Sequence, residues 1–90
     1  MASVFNQYIG KGIFARMVTF HDVGRLTEVS ECGKFIKLED PAWIPDSGPF
    51  AEAIKNGQFK DFEPFGRPVW VAIDSIVDWI EWPLDKFHWM

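Results

Sequence analysis

Residues 14–43 hold three runs rich in β-branched and aromatic residues, divided by two tight turns, and a shorter echo follows at 68–82. The runs are 13–20, 23–30 and 35–43, separated by His21-Asp22 and by Glu31-Cys32-Gly33-Lys34. Such runs between such short turns predict strands. In the third run Phe35, Lys37 and Glu39 alternate with Ile36, Leu38 and Asp40, and the period of two puts Ile36 and Leu38 on the core face. Gly24, near the start of the second strand, signals a bend, a bulge or a close backbone approach. Gly33 suits a turn with positive φ, and Pro41 is expected to end or kink the pairing of its strand. In the echo, Val69, Val71 and Ile73 alternate with Trp70 and Ala72, Asp74-Ser75 is a minimal turn, and 76–82 is a last strand stopped by Pro83.

The flanks complete a single domain over 1–90. Residues 3–9 read as a short helix, with Ser3 as N-cap and Gly10 as stop. Strands one to three occupy 13–44, and strands four and five occupy 68–82. Between them, 45–67 reads as a helical insertion. Asp46-Ser47-Gly48-Pro49 looks like a helix start, Phe50, Ala53 and Ile54 fall at helical spacing, and Asn56-Gly57 is a stop. Residues 58–67 read as irregular loop, although Phe59, Phe62 and Phe65 want burial. The tail, 83–90, is too aromatic for a solvated end and is expected to dock on its own barrel or on a neighbour.

A chain of this size buries only about 60–65% of its unfolded surface, so it needs help to be stable. Cys32 is the single cysteine, which excludes an intrachain disulfide and fits a reducing compartment. His21 and His88 lie far apart with no second cysteine, so neither a metal site nor a cofactor is expected. Oligomerisation is the remaining helper. Five Trp and nine Phe are too many for one small core, and a partner should cover some of them. The net charge of −4 argues against non-specific nucleic-acid binding, which rests on Lys and Arg meeting phosphates. The N-terminus has no basic region followed by an apolar run, and no apolar stretch reaches about 18 residues. Neither a signal peptide nor a membrane span is expected, and the sequence reads as soluble and cytoplasmic.

No catalytic signature is present. His21-Asp22 is half of a general acid–base pair, with no third partner or nucleophile in view. Cys32 beside Gly33 is reactive only if exposed. An enzyme is therefore not expected.

A short helix, three strands joined by tight turns, a variable insertion and two strands across a minimal turn resemble the Sm, Lsm and Hfq-type fold. Gly24-Arg25-Leu26 resembles the Gly-x-Leu of the second strand in Sm proteins, and 34–40 resembles their third strand with its acidic end. Residues 71–80 resemble the short second Sm motif. The whole is also similar to the small Sm-like proteins of phages, which would place it in a host cytoplasm. The resemblance implies a mainly β fold: a five-stranded, strongly bent antiparallel barrel with a short N-terminal helix and the helical insertion between strands three and four. It also implies a homo-oligomeric ring of about five to eight subunits. In the family, the fourth strand of one subunit pairs with the fifth of the next. Here that seam would involve Trp70, Val71, Ile73, Val77, Trp79 and Trp82.

In the family, single-stranded RNA lies near the pore against two turns, stacked on an apolar or aromatic side chain and hydrogen-bonded to a polar one. The matching contacts are Lys34, Phe35, Asp74 and Ser75. This chain departs from the pattern in having Asp74-Ser75 where Sm proteins carry Arg-Gly and Hfq carries Lys-His. A ring of Asp74 carboxylates would repel phosphate. Three readings therefore stay open: an RNA-binding ring, a protein-interaction or scaffold ring, and a sponge for small nucleotides.

Overall fold

The computed structural model describes residues 3–18, 20–46, 55 and 61–83. The described residues form six strands: β1 (Gly12–Met17), β2 (His21–Val29), β3 (Phe35–Asp46), β4 (Asp61–Pro64), β5 (Val69–Ala72) and β6 (Ile76–Trp82). All belong to one antiparallel sheet, ordered β4-β3-β2-β1-β6, with β5 also paired to β3. The first part of β3 ladders with β5 from Phe35↔Ala72 to Leu38↔Val69. Its later part ladders with β4 through Ala42↔Pro64 and Trp43↔Glu63.

Alternation builds two clusters, one on each face of β1. Ile13 and Ala15 join Phe5, Leu26, Ile36, Leu38 and Val71 on one face. Phe14 joins Val23, Ala42, Ile44 and Trp82 on the other. Ile36 and Leu38 are fully buried, as their spacing predicts.

The sheet bends where β2 meets the middle of β3. Arg25 pairs with Glu39 and Val23 with Ala42, so Asp40 and Pro41 both face Gly24. This is a β-bulge. Asp40 takes a φ of 51°, and its carboxylate meets the Arg25 guanidinium at 3.0 Å. A Cβ on Gly24 would lie 3.2 Å from the Pro41 Cα. The predicted close approach at Gly24 is therefore present. Pro41 kinks β3 without ending it, because the bulge absorbs the missing N–H, and the strand runs on to Asp46.

Other boundaries also move. His21 and Asp22, predicted as a turn, are the first residues of β2 and pair with Arg16 and Ala15. The N-terminal helix is a 3₁₀ helix, Val4–Tyr8. Five residues are too few to hold an α-helix alone. Ser3 caps it as expected, its Oγ accepting from the Phe5 N–H at 3.1 Å. The helix covers Trp79, whose ring centroid lies 4.6 Å from that of Phe5 and 4.8 Å from that of Tyr8.

The helical insertion is not supported. At its ends the 45–67 stretch is strand: β3 reaches Asp46, and β4 returns along it. Beyond Leu38 the edge of β3 has left β5 behind, and β4 takes up the backbone groups that would otherwise be unpaired. β4 is thus a sixth strand in place of irregular loop. Positions 49–54 and 56 of the predicted helix lie outside the described residues, as does the tail at 84–90. No described helix is long and apolar enough to cross a membrane.

Candidate functional site

Two turns meet at the end of the sheet where β3 begins and β5 ends. The first is closed by Ser30. Its N–H donates to the Phe35 carbonyl at 2.9 Å, its carbonyl accepts from the Gly33 N–H at 2.9 Å, and its Oγ accepts from the Phe35 N–H at 3.1 Å. Gly33 takes the φ of 74° that a side chain would resist. The second turn is a 3₁₀ turn, Ile73–Ser75. It is held by the Ser75 hydroxyl, which donates to the Ala72 carbonyl at 2.7 Å and lies 3.6 Å from the Met17 sulfur. One backbone bond clasps the turns together: the Ile73 N–H donates to the Lys34 carbonyl at 2.8 Å.

The four sequence-predicted contacts, Lys34, Phe35, Asp74 and Ser75, are all exposed on these two turns. Their chemistry differs. Lys34 carries the cation, Phe35 a ring that is 42% exposed, and Asp74 two acceptor oxygens. The Ser75 hydroxyl donates its proton to the Ala72 carbonyl, which leaves its oxygen as an acceptor. Cys32 is exposed in the first turn, and the Ser30 hydroxyl at 3.3 Å holds its thiol below the ordinary pKa. Among the described residues no group of three His, Cys, Asp or Glu is placed to hold a metal ion.

The six seam residues divide. Trp70 and Val77 are exposed, at 47% and 62%. Ile73 and Trp79 are half-buried against the first core cluster. Val71 and Trp82 belong to the core itself, so their side chains face inward and only their backbones reach an edge. β5 ladders with β3 and β6 with β1, and no further partner of either is found among the described residues.

His21 and Asp22 are not brought together as an acid–base pair, because neighbours in a strand point to opposite faces. His21 accepts from the Met17 N–H at 3.4 Å, and burial, followed by the nearby Arg16 charge, lowers its pKa. Asp22 is buried beside Ala15 and Trp43, and burial raises its pKa to about 6. Two contacts gave no sequence signal, since each joins distant positions. The Arg16 guanidinium grips Asp78 through two bonds, one of 2.8 Å from Nε, and this holds the Asp78 carboxyl below its usual range. Lys37 Nζ lies 5.8 Å from the centroid of the Trp70 ring.

No protein-family model matches the chain, and no curated protein matches it. Among solved structures it is similar to the Pyrococcus abyssii Sm protein in complex with a uridine heptamer, with a TM-score of 0.59 at 16% identity. The alignment covers 87% of this chain and 92% of that one. The fold is Sm-like, a mainly β, bent antiparallel sheet.

Proposed function

We propose that this chain is a non-enzymatic, Sm-like ring protein that takes single-stranded RNA at the two clasped turns. The observation that carries the reading is the bond from the Ile73 N–H to the Lys34 carbonyl, which fixes a cation, an aromatic face and two acceptors at one end of the sheet. It is supported by the similar Sm protein, which was solved with a uridine heptamer. In this reading Phe35 stacks on a base and Lys34 meets a phosphate. Asp74 and Ser75 offer acceptors, so they suit a base edge that donates, such as the N3–H of uracil, and not the phosphate.

The free edges of β5 and β6 support a ring. Pairing β5 of one subunit with β6 of the next would remove two unpaired strand edges and cover Trp70 and Val77 in part. Such a head-to-tail contact closes when the rotation allows it, here at five to eight subunits by family resemblance. The protein would work in a reducing cytoplasm, where the lone exposed Cys32 stays a thiol.

The net charge of −4 favours a second reading, a ring that binds a protein partner. Fluorescence anisotropy with labelled uridine heptamer separates the two. The RNA reading expects saturable binding that weakens on Lys34→Ala and on Phe35→Ala. Wild-type protein that ignores the heptamer at low salt would leave the scaffold reading in its place.

A further inference from the structure

The two open edges of the sheet carry side chains that backbone pairing alone does not use. On β5, Trp70 is 47% exposed. Its neighbours Val69 and Val71 pack on the first core cluster, so Trp70 stands on the other face of the sheet. Lys37, its partner across the ladder, holds its Nζ 5.8 Å from the ring centroid. Just before β5, Arg67 is exposed and enters no ion pair with another described residue. On the opposite edge, Phe14, Arg16, Asp78, Trp79 and Ile80 line an open groove along β1 and β6. Register sets Phe14 beside Ile80 and Arg16 beside Asp78, on the face of the second cluster. Phe14 is buried there, while Ile80 at the rim stays 39% exposed.

We propose that this groove receives Trp70 of the next subunit, in one register that also sets Arg67 against that subunit's Glu81. It rests on the ring reading and names the contact that specifies the seam. A sheet continued from one subunit into the next keeps its faces, so Trp70 arrives on the face of Asp78 and Ile80. Antiparallel pairing with Trp70 opposite Asp78 sets Val69 opposite Trp79, Val71 opposite Val77 and Arg67 opposite Glu81. A slip of one residue would turn Trp70 to the wrong face. A slip of two would put Arg67 opposite Trp79 or Pro83, and Glu81 opposite Phe65 or Val69.

Charge complementarity makes a second copy of this chain the occupant. The β5 side brings Lys37 and Arg67, and the β6 side offers Asp78 and Glu81. Glu81 meets Lys11 only at 3.9 Å, and its side chain is 53% exposed, so its carboxylate is open to Arg67. Arg16 already grips Asp78, which holds the plane of its guanidinium at the groove. A guanidinium held in this way stacks on an indole face, and a tryptophan filling a pocket is the usual kind of anchor in an interface.

The test places a photocrosslinker in the ring by Trp70→p-benzoylphenylalanine, which keeps an aromatic side chain at the position. Irradiation should join neighbouring chains, with adducts mapped by mass spectrometry to 14–16 and 78–80. Sedimentation over a dilution series then reads the register. Arg67→Glu and Glu81→Arg should each raise the concentration of half-assembly by about threefold, and the two together should restore it. Trp70→Ala should raise it by about tenfold or more, with an unchanged circular dichroism spectrum. A closed ring whose adducts fall outside the groove, and whose Trp70→Ala variant assembles like wild type, would overturn the anchor and leave the ring standing. A double charge variant as weak as the singles would overturn the register. Wild-type protein that is monomeric at every concentration would remove the ring and the anchor together.

Discussion

A methyl group placed on Gly24 would stand 2.9 Å from the Cβ of Leu38 across the β2–β3 ladder. The same methyl would meet the Pro41 Cα at 3.2 Å and the Glu39 carbonyl at 3.3 Å, so two of its three neighbours are backbone and cannot turn aside. The bulge at Asp40 and Pro41 depends on that gap. Gly24→Ala should therefore destabilise the fold by about 1–3 kcal/mol, the usual cost of overpacking a tight site. Urea unfolding of the two proteins measures it. An unchanged midpoint would mean that β3 can move away and that the bend does not rest on this contact.

Asp22 predicts a pH dependence with a definite sign. Its carboxyl ionises near 3.8 in an unfolded chain and at about 6 in the folded one, because burial disfavours the charge, and its Oδ1 has no partner among the described residues. Well below pH 3.8 both states are protonated, and the group costs the fold nothing. Between about pH 4 and 6 only the unfolded state ionises, so stability falls as pH rises, by about 1–3 kcal/mol in total. Asp22→Asn should then stabilise the protein at pH 7 and have little effect at pH 4. His21 works in the opposite direction: its lowered pKa lets the unfolded state take up a proton first, so its contribution is lost as pH falls. The difference between wild type and Asp22→Asn, measured at each pH, isolates the carboxyl. A difference that does not vary with pH would contradict the account.

Much of the fold was readable because it is local. Gly24 in a strand announced the bend, Gly33 the first turn, and the alternation around Ile36 and Leu38 the core face. The second turn and the last strand fell where Asp74-Ser75 and Pro83 put them. β4 was not readable. Its Asp, Glu and Pro deny it strand propensity, and it forms only because a distant edge of β3 lies open. Trp79 was expected at a seam, but the N-terminal helix covers one side of it. At the candidate site the residue types and their exposure could be read from turn position. The clasp from Ile73 to Lys34 could not, since strand register settles it, nor could the use of the Ser75 proton, which depends on the geometry of the 3₁₀ turn.

The charge at the turns predicts opposite effects for neighbouring positions. Lys34→Ala should weaken binding of a uridine oligomer. Asp74→Asn removes a like charge near the phosphates and should strengthen it by about two- to fivefold at low salt. The gain should shrink at high salt, where both effects are screened. Anisotropy titrations at two salt concentrations check this. Weaker binding by Asp74→Asn would instead make the carboxylate a direct contact to a base.

Val77 tests the seam without touching the core. It is 62% exposed on β6, so Val77→Asp should leave the fold intact. In a ring it would place a carboxylate in every seam, where desolvation without a partner is costly. The expected product is a folded monomer by sedimentation, with an unchanged circular dichroism spectrum. An assembly of unaltered size would move the contact away from β6.

Native mass spectrometry of the purified protein bears most directly on the central claim that this Sm-like chain closes into a ring and carries RNA. The account predicts one closed assembly of five to eight chains of 10.4 kDa, with nuclease-sensitive extra mass when it is isolated without a high-salt wash. A clean monomer that stays monomeric on adding oligouridine would contradict it.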